Sequence, residues 1–304
     1  MSKVYEAEIK SILSEVRRIE IQSRRLVYDV MAGAYRSAFR GAGIEFDEVR
    51  EYVEGDDPRS VDWNVTARVG RPYVKKYVDE RELSVLFLVD LSPSMDGGFG
   101  NWTLRQAAAR LVAHLAISAV RAGDQVGMIG VANHVTHYVE PSKGLPHALR
   151  LVRDVLATRP SERSTHLKAG LEFATRAVRR RSILFLISDF LAENYTQAVS
   201  PCAHRHDLIG LCLLAPERDL PSLSLVRAEG FEGEGICTMD WQKSSVRDAY
   251  NRRAEEAKLQ TERAFREASA DFITLNLRKQ SDSMALVRPL LSFFRARERA
   301  GARR

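Results

Sequence analysis

The chain has 304 residues, 45% hydrophobic and 28% charged, enough for one large globular domain or two modest ones and inconsistent with a disordered or fibrous protein. No apolar run approaches the roughly 18 to 20 residues of a bilayer span, and the charged start MSKVYEAEIKSILSEVRRIE lacks the apolar stretch of a signal peptide, so a cytoplasmic protein is expected. The formal net charge is +6, but the last ten residues, RARERAGARR, carry five arginines and one glutamate, leaving about +2 on the body and making nucleic acid an unlikely partner.

From Tyr5 to Met31, apolar residues recur every three or four positions (Ile9, Ile12, Leu13, Val16, Ile19, Leu26, Val27, Val30), which predicts an amphipathic helix needing a partner surface. The segment 38–82 reads as an arm of turns and short strands. In it Gly55-Asp56-Asp57-Pro58 reads as a tight turn whose aspartates bond nearby amides, with a second cation site as the alternative, and Trp63 reads as a core anchor for the arm rather than a ligand stack. The order then becomes strand Leu83–Val89, helix Thr103–Arg121, strand Gln125–Val131, strand His134–Val139, helices Leu145–Ala157 and Thr165–Arg180, strand Ser182–Ile187, helix Tyr195–Ala203 and strand Leu208–Leu214. A weak strand at Ser222–Gly230, a long helix Ser244–Ala270, a strand Phe272–Leu277 and a last helix to Arg297 follow. Continuous aliphatic strands between amphipathic helices predict a doubly wound, mainly parallel α/β sheet covered on both faces. The chain thus divides into an N-terminal helix (1–37), the arm (38–82), the α/β domain (83–240) and a C-terminal helix–strand–helix with a basic tail (241–304). Cys202, Cys212 and Cys237 show no zinc or CxxC spacing and read as buried thiols.

Ligands of such sheets bind beyond the carboxyl ends of the strands. There Asp90-Leu91-Ser92-Pro93-Ser94 follows one buried run, Ser188-Asp189 follows another, and Ser164-Thr165 opens a helix. This all-oxygen set suits Mg²⁺ or Mn²⁺. The competing reading makes Asp90, Ser94 and Thr165 ordinary helix caps. Asp-x-Ser-x-Ser with a second strand ending in Ser-Asp resembles the metal-ion-dependent adhesion site of von Willebrand factor A domains, over about Leu83 to Leu214. That resemblance implies Ser92, Ser94 and Thr165 as direct or near-direct ligands, Asp90 and Asp189 acting largely through water, and an open coordination position for a partner's carboxylate.

Longer motifs narrow the likeness: Glu45-Phe46-Asp47-Glu48-Val49-Arg50-Glu51-Tyr52, Gly55-Asp56-Asp57-Pro58-Arg59-Ser60-Val61-Asp62-Trp63, Arg71-Pro72-Tyr73-Val74-Lys75, Glu80-Arg81-Glu82-Leu83, Ser188-Asp189-Phe190 and His206-Asp207. Together they resemble a bacterial family known as domain of unknown function fifty-eight, over about Ile19 to Arg299. The resemblance implies a non-enzymatic adaptor that accompanies a MoxR-type AAA+ ATPase in chaperone-like activation or assembly of client proteins. His166 stands where that family often has Asp, and Ala215-Pro216-Glu217 replaces a usual Asp-Pro-x-Glu. Two other classes stay open: a metal-dependent hydrolase, although no GxSxG, HExxH or P-loop is present, and a nucleic-acid-associated protein using Arg176–Arg181 and the tail.

Overall fold

The computed structural model describes residues 2–26, 31–40, 46–54, 56–77, 82–97, 101–158, 165–214, 226–229, 236–277 and 282–301. Where the sequence predicts one helix over residues 1–37, the described residues form α1 (Ser2–Leu26) and α2 (Ala32–Arg40), and residues 27–30 lie outside the described residues.

The arm pairs β1 (Phe46–Glu51) antiparallel with β2 (Tyr73–Tyr77) around a helix that sequence reading missed, α3 (Trp63–Val69). Asp62 caps α3 by accepting from the Asn64 and Val65 amides, and Gly70 ends it at φ 75°, a left-handed turn that suits glycine. Of the expected aspartate turn, Asp56 accepts from the Val53 amide and also takes two bonds from Arg50, at 2.6 and 2.8 Å. Gly55 lies outside the described residues. Trp63 corrects the sequence expectation, because it is 72% exposed while the arm buries Val74 instead.

The main sheet uses β3 (Ser84–Asp90), β4 (Gln125–Val131), β5 (Val135–Ser142), β6 (Ile183–Ser188), β7 (Asp207–Leu214) and a late strand, β10 (Asp271–Asn276). Between β7 and β10 lie a separate antiparallel hairpin, β8 (Val226–Glu229) with β9 (Ile236–Met239), and then the helix α8 (Ser244–Glu267). The spatial order is β10-β7-β6-β3-β4-β5, all parallel except edge strand β5. Numbered within the sheet, this is the doubly wound order 3-2-1-4-5-6. The fold is the doubly wound, mainly parallel α/β sheet with helices on both faces that the alternating strands and helices predict.

Alternation sends β3 side chains to both faces. Val85, Phe87 and Val89 join the core under α1, α2, α4 (Leu104–Arg121), α5 (Leu145–Ala157) and α9 (Ser283–Gly301); Leu86 and Leu88 join the core under α6 (Leu167–Ala177), α7 (Thr196–Arg205) and α8. The N-terminal stripe has found its partner: Arg110 of α4, 1% exposed, pairs with Glu15 of α1 at 2.5 Å and lies 4.2 Å over the Trp102 ring. Residues 302–304 of the basic tail and the segment Ala215-Pro216-Glu217 are outside the described residues.

Candidate functional site

The direction of winding reverses between β3 and β6, which opens a crevice at their carboxyl ends. Asp90 ends β3 there, fully buried. Its Oδ1 accepts from the Ser92 amide at 2.9 Å, folding the chain back into a short 3-10 turn over Pro93–Asp96. Its Oδ2 accepts from the Ser188 hydroxyl of β6 at 2.7 Å. Burial pushes the Asp90 carboxyl above its ordinary range, while the Ser188 and Ser92 hydrogen bonds and the Arg105 charge pull the other way.

The turn brings the Ser92 and Ser94 hydroxyls to 3.0 Å from each other. Two oxygens bound at about 2.1 Å to adjacent positions of an octahedral Mg²⁺ lie about 3 Å apart, so this pair already has the spacing of neighbouring ligands. On the other strand, Asp189 is buried beside Ser188, and its Oδ1 accepts from the Leu191 amide at 3.1 Å. Thr165 stands at the same sheet edge: the next amide, His166, donates to Ala132 just past β4 at 2.7 Å. Asp90, Ser92 and Ser94 are thus brought together directly, with Asp189 adjoining through β6 and Thr165 bordering through the β4 edge.

Helix α4 is capped not by Asp90 or Ser94 but by Thr103, which forms a reciprocal box with Gln106, and the N-cap position of α6 is His166, the residue after Thr165. Among the described residues, no three His, Cys, Asp or Glu gather into a metal cluster; the expected ligands Asp90, Asp189, Ser92, Ser94 and Thr165 offer two carboxylates and three hydroxyls. Hard oxygen donors with few charges fit Mg²⁺ or Mn²⁺.

Two roles escaped sequence reading. Ser188, noted there only as the residue before Asp189, bridges the strands by donating to Asp90, which the adjacency of β3 and β6 allows. Arg105, 2% exposed on α4, donates to the Leu91 and Ser92 carbonyls at 3.0 and 3.2 Å and forks onto Asp96, which clamps the serine turn. His137, on β5, pairs with Asp154 at 3.0 Å.

The arginine cluster sits at the opposite end of the sheet, around a concavity of about 510 Å³ lined by Thr175, Arg179, Arg181, Pro201, His204 and Arg205. Arg205 there donates to the Val178 and Arg179 carbonyls at the end of α6, and Arg176 pairs with Glu172 at 3.7 Å. Cations at helix carboxyl ends are favoured by the helix dipole without any ligand.

The sequence model of the family described as "Protein of unknown function DUF58" matches residues 48–260, well over half of the chain. The chain belongs to the DUF58 family. An uncharacterized protein of Mycobacterium tuberculosis is similar to this DUF58 chain, at 28% identity over 269 residues, covering 87% of this chain and 84% of the relative. Among solved structures, the conserved hypothetical protein BatB from Bacteroides thetaiotaomicron is similar at 15% identity and TM-score 0.47, covering 70% of this chain and 99% of that one. The VWA domain of SpRpn10 is similar at 10% identity and TM-score 0.41, covering 69% and 96%. In this DUF58 chain no helix among the described residues is long and apolar enough to cross a membrane.

Proposed function

We propose that the chain is a non-enzymatic protein–protein interaction module that binds Mg²⁺ or Mn²⁺ through Asp90, Ser92, Ser94, Thr165 and Asp189. The cation would supply a Lewis-acidic position for an acidic side chain of a partner protein. The observation that carries this reading is the 3.0 Å spacing of the Ser92 and Ser94 hydroxyls beside a buried carboxylate. In this reading Asp90 holds the serine turn through the Ser92 amide, Arg105 clamps that turn, and Ser188 ties it to the strand bearing Asp189. His166 lies exposed beside Thr165, at the mouth of this site.

The partner we propose is a MoxR-type AAA+ ATPase or its client, with a chaperone-like role in activating or assembling that client in the cytoplasm; support for this comes from the family motifs. The test is capture of the purified ATPase from the same genome in Mg²⁺ and then in EDTA. Capture should require the metal and should be lost in Asp90→Ala and in the milder, half-buried Ser94→Ala, with the Ser94→Ala thermal unfolding curve unchanged. Metal-independent capture, or capture that survives Ser94→Ala, would sink the metal bridge.

A further inference from the structure

The segment after β6 is built differently from an ordinary strand-to-helix turn. Phe190 takes a left-handed backbone, φ 58°, which costs a bulky residue on the order of 1–2 kcal/mol. Its ring is 4% exposed, packed edge-on against Phe265 at 5.8 Å and Phe272 at 5.3 Å and tilted against Tyr195 at 5.8 Å. Its amide donates to the Ser188 hydroxyl at 2.9 Å. The aromatic nest therefore holds a strained backbone in place, and the residue after it inherits a fixed position.

That residue is Leu191. Its amide is tied to the Asp189 carboxylate at 3.1 Å, yet its side chain is 65% exposed. A large apolar side chain is thus held open to water two residues from a buried carboxylate, by a neighbour under backbone strain. The sheet-edge rim nearby is polar: His166 and His134 are exposed, and the His166 amide binds Ala132, whose own amide binds the His134 carbonyl. Leu191 is thus an apolar contact set beside a site whose own donors are all oxygen.

We infer that Leu191 is the specificity contact of this site, and that the partner segment carries its acidic residue within two positions of a large aliphatic or aromatic side chain that packs on Leu191. This rests on the metal-site reading above and adds to it the chemistry of the partner: an acidic–apolar pair and not an acidic residue alone. Central apolar contacts beside a polar anchor are the usual way an interface converts a single charged contact into a selective one.

The experiment is selection of a random displayed peptide library on the full chain in Mg²⁺, with elution by EDTA. The eluted pool should carry Asp or Glu with Leu, Ile, Met, Phe or Trp within two residues. The same selection on Leu191→Ser should keep the acidic residue and lose the apolar neighbour, and a wild-type peptide should bind Leu191→Ser about tenfold more weakly. Because Leu191 is exposed, its variant should unfold at the wild-type temperature, which separates lost recognition from lost folding. An acidic pool with no apolar preference, or an apolar preference unchanged in Leu191→Ser, overturns the inference and leaves the metal reading standing. If EDTA elutes no acidic pool from the wild type, the metal reading falls and the inference falls with it.

Discussion

Replacing Glu15 with glutamine would leave the Arg110 guanidinium, 1% exposed, without the carboxylate that faces it across the α1–α4 seam. Arg110 would keep one bond to the Gln106 carbonyl at 2.9 Å and its stacking on Trp102, but its Nε already has no hydrogen-bond partner. Breaking a fully buried ion pair costs about 3–5 kcal/mol. The Glu15 side chain retains 17% exposure, so water screens part of that, and about 2 kcal/mol is expected. Because the seam joins α1 to the body, the loss should appear as easier opening of that helix. Hydrogen exchange of the Ile12–Ser23 amides in Glu15→Gln should speed about 30-fold relative to wild type. Arg110→Met should cost less than Glu15→Gln, since it removes the charge and the unsatisfied Nε together, and the double variant should recover most of the loss. Exchange within threefold of wild type in Glu15→Gln would refute the reasoning and show that the pair contributes nothing to docking.

Burial and the Arg110 charge push His114 down to about 4, with both ring nitrogens lacking partners. Below about 6.5 the unfolded chain binds a proton that the folded chain refuses, so His114 erodes stability as pH falls from about 6.5 to about 4 and no further below that. Urea midpoints for His114→Gln should show a shallower decline than wild type across that window. Adding Mg²⁺ should raise the melting temperature of wild type and not of Asp90→Ala, read by calorimetry against an EDTA control. Gly210→Ala should destabilise by about 1–3 kcal/mol in urea, because its Cβ would lie 2.7 Å from carbons of Phe265 and Phe272. Trp63→Ala, at a 72% exposed position, should change unfolding free energy by less than about 0.5 kcal/mol.

Much of the sheet was legible because its strands are buried on both faces and read as unbroken aliphatic runs; Gln125–Val131 matches β4 residue for residue. Helix α3 was not, since Trp-Asn-Val-Thr-Ala-Arg-Val has few strong helix formers, and its signal lay in the flanking Asp62 and Gly70. Trp63 misled because size suggests burial, whereas the arm is too thin to enclose an indole. Helix α6 stops at Ala177, short of the Arg180 expected from periodicity, and Arg205 of α7 takes up the Val178 and Arg179 carbonyls beyond it. At the site, one short motif displays Asp90, Ser92 and Ser94. The bond from Ser188 to Asp90 and the clamp by Arg105 act across the fold, through strand adjacency and from a facing helix; the Ser-Asp strand end displays Ser188 but not its partner, and no local spacing announces Arg105.

The packing of α2 on α9 carries a practical lesson about where the functional unit begins and ends. Tyr35 and Phe39 of α2 meet Phe294 of α9 at 6.1 and 5.6 Å, and Arg297 of α9 spans Asp207 and Asp271 on two neighbouring strands. The family match stops at residue 260, before β10 and α9, and starts after α2. A fragment trimmed to that match would bare the β7 edge, an invitation to pairing with other molecules, and would strip the cover from Phe185, which packs against Phe39 at 6.1 Å. Expression boundaries drawn from the alignable stretch would therefore favour aggregation, whereas a span that keeps α1, α2 and α9 retains both this packing and the Glu15–Arg110 pair.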